Sequence, residues 1–242
     1  IDVCPVKAHE NVSGKHIFHR EKCILCGKCA EVCYAKAIES VGKEMSVSEI
    51  MGIVLKDKPF YENSGGGMTV SGGEPLAQPS FTYELLSEAK KNSLHTCLDT
   101  SGFASAETCM KMLPVTDLFL YDIKATNEAV HKKLTSVSFA PIIANLRMLD
   151  KAGAATILRC PLVPGLNDDT AHLLEIGKIA SSLANVRMIT IHPYHPLGRS
   201  KSERMGIKYP LEGMNDFADD KLVEKWLQTV RSATDVEVEL NG

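Results

Sequence analysis

Several features that would place a chain in a well-marked class are missing from this one. No apolar run reaches the roughly eighteen residues that a spanning helix requires, and the first residues lack the basic-then-apolar order of a signal segment. An excess of one charge is missing as well: 27 basic residues stand against 30 acidic ones, a formal net charge of −3. That balance argues against a cationic nucleic-acid surface and gives no hold on an anionic membrane, so neither nucleic acid nor membrane is expected as a partner. Internal repeats and low-complexity tracts are absent, and the chain opens on Ile1 rather than an initiator methionine, which points to residues upstream. What remains is 242 residues, enough for one large α/β core with a small appendage.

Cysteine, by contrast, is plentiful and unevenly spread. Of eight cysteines, four fall within CILCGKCAEVC, at Cys23, Cys26, Cys29 and Cys33. Steps of three, three and four favour metal in a reducing, cytoplasmic compartment over disulfides. Two-residue gaps let successive thiolates wrap a cuboidal cluster, and Gly27 helps the loop turn. In two-cluster ferredoxins the first three cysteines of such a run hold one 4Fe–4S cluster, while the cysteine that ends the other run, followed by proline, completes it. Cys4-Pro5 fits that terminal position. Cys4, Cys23, Cys26 and Cys29 then form one complete site, and Cys33 is the remnant of a second. The alternative is a structural zinc held by four cysteines, though this spacing is poor for a zinc ribbon. Cys97, Cys109 and Cys160 read as core packing.

Along the rest of the chain, short apolar runs alternate with longer helical patterns, the order of a parallel sheet built from βα units. GMTVS, HTCLDT, DLFLYDI, ATILRCPL and RMITIHP read as strands, with a late VEVEL; KHIFH reads as a short strand before them. Helical patterns cover SVSEIMGIVLKD, PSFTYELLSEAKKN, SAETCMKML, FAPIIANLRMLDKAG, DDTAHLLEIGKIASSL and DKLVEKWLQTVRSA, and AEVCYAKAIE reads as a short helix. Residues 199–218 read as a polar surface loop. The expected division is a cysteine-bearing module over 1–42 and an α/β barrel over 43–242. In such barrels working residues sit where strands end and βα loops begin. SGGEP, DTSG, DIK, PLVPGLND and PYHPLG each follow a strand and gather at one rim.

Taken in order, YENSGGGM, TVSGGEP, LDTSG, YDIK, VPGLND and PYHPLG resemble the activating enzymes of glycyl radical enzymes, a branch of the radical S-adenosylmethionine (SAM) family, over nearly the whole chain. The ferredoxin-like insert occurs in many members, and it argues against the simplest ones, such as the pyruvate formate-lyase activator, which lack it. The resemblance implies a partial parallel (β/α) barrel of the radical SAM type, without its first strand here, and a small ferredoxin-like module. It also implies that Ser71, Gly72, Gly73 and Glu74 receive the amino group of SAM. Asp99, Thr100 and Asp122 are implied as ligands of a monovalent cation beside the SAM carboxylate. Lys124 offsets the charge of Asp122, Arg159 makes a further SAM contact, and His195 lies against SAM near the target glycine. Lys124 and His195 are thus the catalytic candidates. Read alone, Asp99 and Thr100 would simply end a strand and cap a helix, and Lys124 would be solvated. Gly165, Asn167 and Asp168 read as turn and cap residues, and His192 as structural.

The activity implied is reductive cleavage of SAM at a 4Fe–4S cluster, giving a 5′-deoxyadenosyl radical that takes hydrogen from a glycine Cα of a partner glycyl radical enzyme, under anaerobic conditions. A flavodoxin or ferredoxin would supply the electron. The C-x3-C-x2-C loop that holds the catalytic cluster in this family does not occur in the sequence. The expectation is therefore an inactive fragment, shortened at its N-terminus, with an unpaired sheet edge that favours association between copies. Two other classes fit parts of the sequence. A ferredoxin-like electron-transfer or binding protein would use only the cysteine module, and a barrel aldolase would work through Lys124.

Overall fold

The structure, a computed structural model, describes residues 2–240. Its first elements are β1 (His9–Val12), β2 (Lys15–Phe18), α1 (Lys28–Glu31), α2 (Val47–Val54) and α3 (Lys58–Ser64). A repeating series follows: β3 (Gly67–Val70), α4 (Pro79–Lys91), β4 (His95–Thr100), α5 (Ala106–Met112), β5 (Leu118–Asp122), α6 (Glu128–Thr135), α7 (Ala140–Lys151), β6 (Thr156–Leu162), α8 (Thr170–Ser181) and β7 (Val186–Pro193). Last come α9 (Gly198–Met205), α10 (Asp220–Arg231) and β8 (Glu237–Leu240). Two units result: Ile1–Ser46 with Gly198–Pro210, and Val47–Leu197 with Leu211–Gly242. The boundary drawn from sequence at residue 42 falls four residues short of Ser46. The segment 198–210, assigned from sequence to the barrel, belongs to the first unit.

In the first unit β1 and β2 pair antiparallel, with Val12 opposite Lys15. Ser13 and Gly14, both at positive φ, close the hairpin in the two-residue turn that suits the twist of paired strands. The helix expected over AEVCYAKAIE is not formed. Helical backbone stops at Glu31, Cys33 and Lys36 turn back through hydrogen bonds to Ala30 and Cys33, and Lys36 takes a positive φ that a helix does not accommodate. The expected loop over 199–218 instead begins with the eight-residue helix α9.

In the second unit six strands pair in parallel in chain order, β3 to β8. Each βα unit therefore adds its strand beside the previous one, the winding of a barrel, and the result is a partial parallel (β/α) barrel. Among the described residues β3 and β8 each pair on one side only. All six strands expected from the sequence form. Helices α3 and α6 were not among the expected ones: α3 starts at Lys58-Pro59, where the proline suggests a break but sits instead in the first helical turn, where its missing N–H is not needed. Helix α7 ends at Lys151, two residues before Gly153, which takes φ +87°.

Strand parity sets the two faces of the sheet. On β5, Phe119 and Tyr121 are buried, and the Tyr121 hydroxyl donates to the Ile142 carbonyl of α7 at 2.7 Å, so this parity faces the helices. Asp122 has the opposite parity and faces inward. Helices cover the outer face with stripes at helical spacing; in α10 these are Val223, Trp226, Leu227 and Val230. Cys97, Cys109 and Cys160 are buried in the barrel unit, and burial raises their thiol pKa values, that of Cys109 to about 11, so they pack as neutral groups. Among the described residues no helix is long and apolar enough to cross a membrane.

His172, in the first turn of α8, is buried, and its Nδ1 accepts from the Thr126 backbone N–H at 3.2 Å. Burial pulls its pKa from 6.5 down to about 4, while Asp169 acts weakly upward. Between these values the unfolded chain binds a proton that the folded one does not, so stability falls as pH falls through this window. The full loss is about 3 kcal/mol. Urea unfolding at pH 7 and pH 4 is expected to show a gap narrowed by about that amount in His172→Gln, which retains an acceptor for Thr126.

Candidate functional site

Parallel register brings the inward-facing residues of adjacent strands side by side. Asp122 pairs with Arg159, and Arg159 with Thr190. Asp99 lies on β4 opposite Leu120, with the same parity. The result is a continuous polar path across the ends of the strands. The Ser71 hydroxyl, just past β3, donates to Asp99 Oδ2 at 2.8 Å. The Arg159 guanidinium forms an ion pair with the same oxygen. Arg159 Nε donates to His192 Nε2 at 3.4 Å, and that nitrogen also meets the Thr190 hydroxyl at 3.0 Å. Lys124 Nζ lies 3.0 Å from Asp122 Oδ2. The side chains of Asp99 and Arg159 are 17% and 27% exposed, so this pair is largely removed from water and from the screening that weakens surface ion pairs.

Two acids and two bases face one another here, and their formal charges cancel. His192 adds none at neutral pH: burial, and then the neighbouring guanidinium, lower its pKa. With Nε2 accepting from Arg159, the neutral ring carries its proton on Nδ1. His192 therefore fixes the direction of Arg159 from one side while Asp99 fixes it from the other.

Glu74 is engaged differently. Its Oε1 accepts from the Leu76 N–H at 3.0 Å and the Thr100 hydroxyl at 2.6 Å; its Oε2 accepts from the Ser101 N–H at 2.9 Å and the Ser101 hydroxyl at 2.5 Å. Four donors fill this carboxylate, which ties the SGGEP loop to the DTSG loop. Thr100 is likewise committed. It is buried, lies beside Tyr121 on the helix-facing parity, and gives its proton to Glu74. Of the three candidate cation ligands, then, Asp99 and Asp122 face inward while the Thr100 hydroxyl does not. Gly72 takes φ +141°, which favours glycine, and a Cβ at Gly72 or Gly73 would meet nothing within 4 Å, so the loop leaves open space above its backbone. Gly102 is crowded: at φ +70° its Cβ would lie 1.7 Å from the Tyr121 hydroxyl.

His195 stands beyond the end of β7, exposed, with its ring 6.5 Å from that of Phe217. No hydrogen bond in the path described above includes it. Asn167, read from sequence as a candidate helix cap, leaves that place to Asp169; it is 3% exposed and ties the rim from behind. It donates to the Lys124 and Pro161 carbonyls, each at 2.7 Å, and accepts from the Val163 N–H at 2.7 Å. Sequence reasoning gave His192, Thr190, Ser101 and Asn167 no part in the site. The signal for the first two was parity: polar residues at 190 and 192 alternate with buried Ile189 and Ile191.

In the cysteine unit Cys4 Sγ accepts from the Ala8 N–H at 3.2 Å and Cys23 Sγ from the Leu25 N–H at 3.4 Å. Leu25 and Gly27 take positive φ on either side of Cys26, a backbone that turns successive N–H groups toward one concavity, as in anion and iron–sulfur nests. Among the described residues no group of three or more His, Cys, Asp or Glu side chains is placed to hold a metal ion, so the four cysteines are not drawn together on one point here. The two-residue gaps of the run, with N–H groups already on the sulfurs of Cys4 and Cys23, suit a 4Fe–4S cluster more than a zinc ribbon.

Comparison with known proteins agrees with this geometry. Residues 30–176 match the radical SAM superfamily, and residues 16–39 match the 4Fe–4S binding domain. The choline trimethylamine-lyase activating enzyme of Oleidesulfovibrio alaskensis is 36% identical, over 92% of the chain and 74% of that protein. A pyruvate formate-lyase-activating enzyme of Staphylococcus aureus is also 36% identical, over 93% of the chain and 92% of that protein. Identity is thus the same to both of these activators. A solved domain of pyruvate-formate lyase-activating enzyme from Bacteroides vulgatus superimposes with a TM-score of 0.61 at 24% identity, covering 73% of the chain and 99% of that domain, a likeness of fold.

Replacing Glu74 by Gln sets an NH2 group against donors that now meet an acceptor. It is expected to lower stability by about 2–3 kcal/mol, read from urea midpoints. An unchanged midpoint would show that the two loops hold together without this brace.

Proposed function

The chain belongs to the radical SAM superfamily, among the activating enzymes of glycyl radical enzymes, and from that premise we propose that its strand-end rim holds SAM while a partner glycyl radical enzyme presents its glycine. The observation that carries this reading is the hydrogen-bonded path from Ser71 through Asp99 and Arg159 to His192. SAM brings its own ammonium and carboxylate, and a rim of paired, mutually cancelling charges can exchange partners with that zwitterionic end without adding net charge there, the sulfonium lying beyond it.

Each residue has a role in this reading. The open backbone at Gly72 and Gly73 supplies acceptors for the ammonium, with Ser71 beside it, while Glu74 shapes the loop from behind. Arg159 and Lys124 meet the carboxylate. Asp99 and Asp122 provide hard oxygen ligands for a monovalent cation, which Thr100 can join only through its carbonyl. His195, on its exposed loop, closes over the nucleoside side. Cys4, Cys23, Cys26 and Cys29 hold one 4Fe–4S cluster, with Cys33 serving a second, and this module relays electrons from a flavodoxin or ferredoxin. Beside a reduced catalytic cluster, whose C-x3-C-x2-C loop does not occur in this sequence, bound SAM would release methionine and supply the 5′-deoxyadenosyl radical that takes hydrogen from the glycine Cα. The protein's share is orientation and exclusion of water.

Equilibrium dialysis of labelled SAM against the chain reconstituted with iron and sulfide tests this. Asp99→Asn and Arg159→Gln are each expected to weaken binding about ten-fold or more, the equivalent of one charge-assisted hydrogen bond. Iron uptake with no SAM affinity would instead favour the ferredoxin-like carrier.

A further inference from the structure

The first unit contains a cavity of about 660 Å³ whose lining includes Cys23 and Cys29 of the cysteine run. Part of its wall comes from far along the chain: Arg204, Met205, Gly206 and Ile207 line the same space. This wall is fastened at defined points. Arg20 Nη2 donates to the Arg204 carbonyl at 3.1 Å, and the Arg20 guanidinium lies over the Phe18 ring, 5.1 Å from its centre. Arg204 approaches Glu39 at 3.8 Å. Gly206, at φ +62°, leaves room for Arg20; a Cβ there would come within 2.0 Å of Arg20 Nε. A glycine at that position thus permits both the backbone turn and the close passage of the arginine.

We propose that the segment 198–210 is the shielding wall of the iron–sulfur site in the cysteine unit, pinned by Arg20 across Gly206, and that it limits access of water and small reagents to the cluster. The proposal rests on the cluster reading given above and extends it to residues outside the cysteine run. Met205 and Ile207 add apolar lining to the cavity that Cys23 and Cys29 also line. An apolar shell of this kind governs solvent access to a metal centre, and with it the persistence of the centre. The exposed ion pair of Arg204 with Glu39 adds little energy. The positional constraint at Arg20 and Gly206 is what the wall depends on.

The 242-residue chain tests this directly, because its one cysteine run is the only source of cluster absorbance to be followed. After anaerobic reconstitution, loss of absorbance in the presence of a ferrous chelator is timed for the wild type, Gly206→Val and Arg20→Ala, with Cys29→Ala as the control that should take up little iron. Both wall variants are expected to load the same iron as wild type and to bleach about ten-fold faster. Their thermal unfolding, which reports mainly on the barrel unit, is expected to be unchanged. Equal bleaching rates at equal loading would overturn the wall. If the wild type takes up no iron beyond the Cys29→Ala level, the cluster reading itself fails, and the wall with it.

Discussion

A guanidinium on the inward face of a parallel sheet needs an opposite charge within reach, and Arg159 on β6 finds it in Asp99 on β4, across the intervening β5. Leaving either partner alone at that degree of burial would cost several kcal/mol. The pair therefore constrains more than itself. A one-residue slip of β4 or β6 would turn one partner to the helix-facing side, into the layer of Tyr121 and Ile142, so the electrostatic requirement and the apolar pattern select the same register. Once that register is set, Asp122, Thr190 and His192 follow onto the same face without any further requirement.

The rim is organised in two depths. Toward the open side lie Asp99, Asp122, Lys124 and Arg159, paired with one another yet able to exchange partners. Behind them lie Glu74 and Asn167, bonded to backbone and hydroxyl groups, and Thr100, whose hydroxyl is given to Glu74. Glu74 joins the loops after β3 and β4; Asn167 joins those after β5 and β6. A ligand that displaces the front pairs meets loops already fixed from behind, so little ordering is left to be done on binding.

Much of this was legible in the chain. The six parallel strands appear as short apolar runs, and the motifs that end them are the residues that gather at the rim. What could not be read has physical causes. Glu74 follows β3 and Asp99 lies near the end of β4, both acidic, and only the donors around each show that Glu74 is filled as a brace while Asp99 stays on the inward face. Thr100 follows Asp99 directly in a strand, so alternation sends it to the other face; that was available from sequence, but the motif was treated as a unit. His192 and Thr190 are visible only as a parity within an apolar run. The helix α9 escaped notice because its composition is that of a loop, with no apolar stripe to give it a period.

The first unit is assembled from two stretches of chain separated by more than 150 residues, the second of which begins three positions after His195. Transplanting the iron–sulfur module into a related barrel by cutting only after Ser46 would carry the cysteines and leave part of their housing in the donor. A working chimera has to exchange 198–210 at the same time, and natural drift in either stretch is tied to the other at the passage of Arg20 past Gly206. The module is inherited as a composite, and its history should be legible as paired substitutions at those two places.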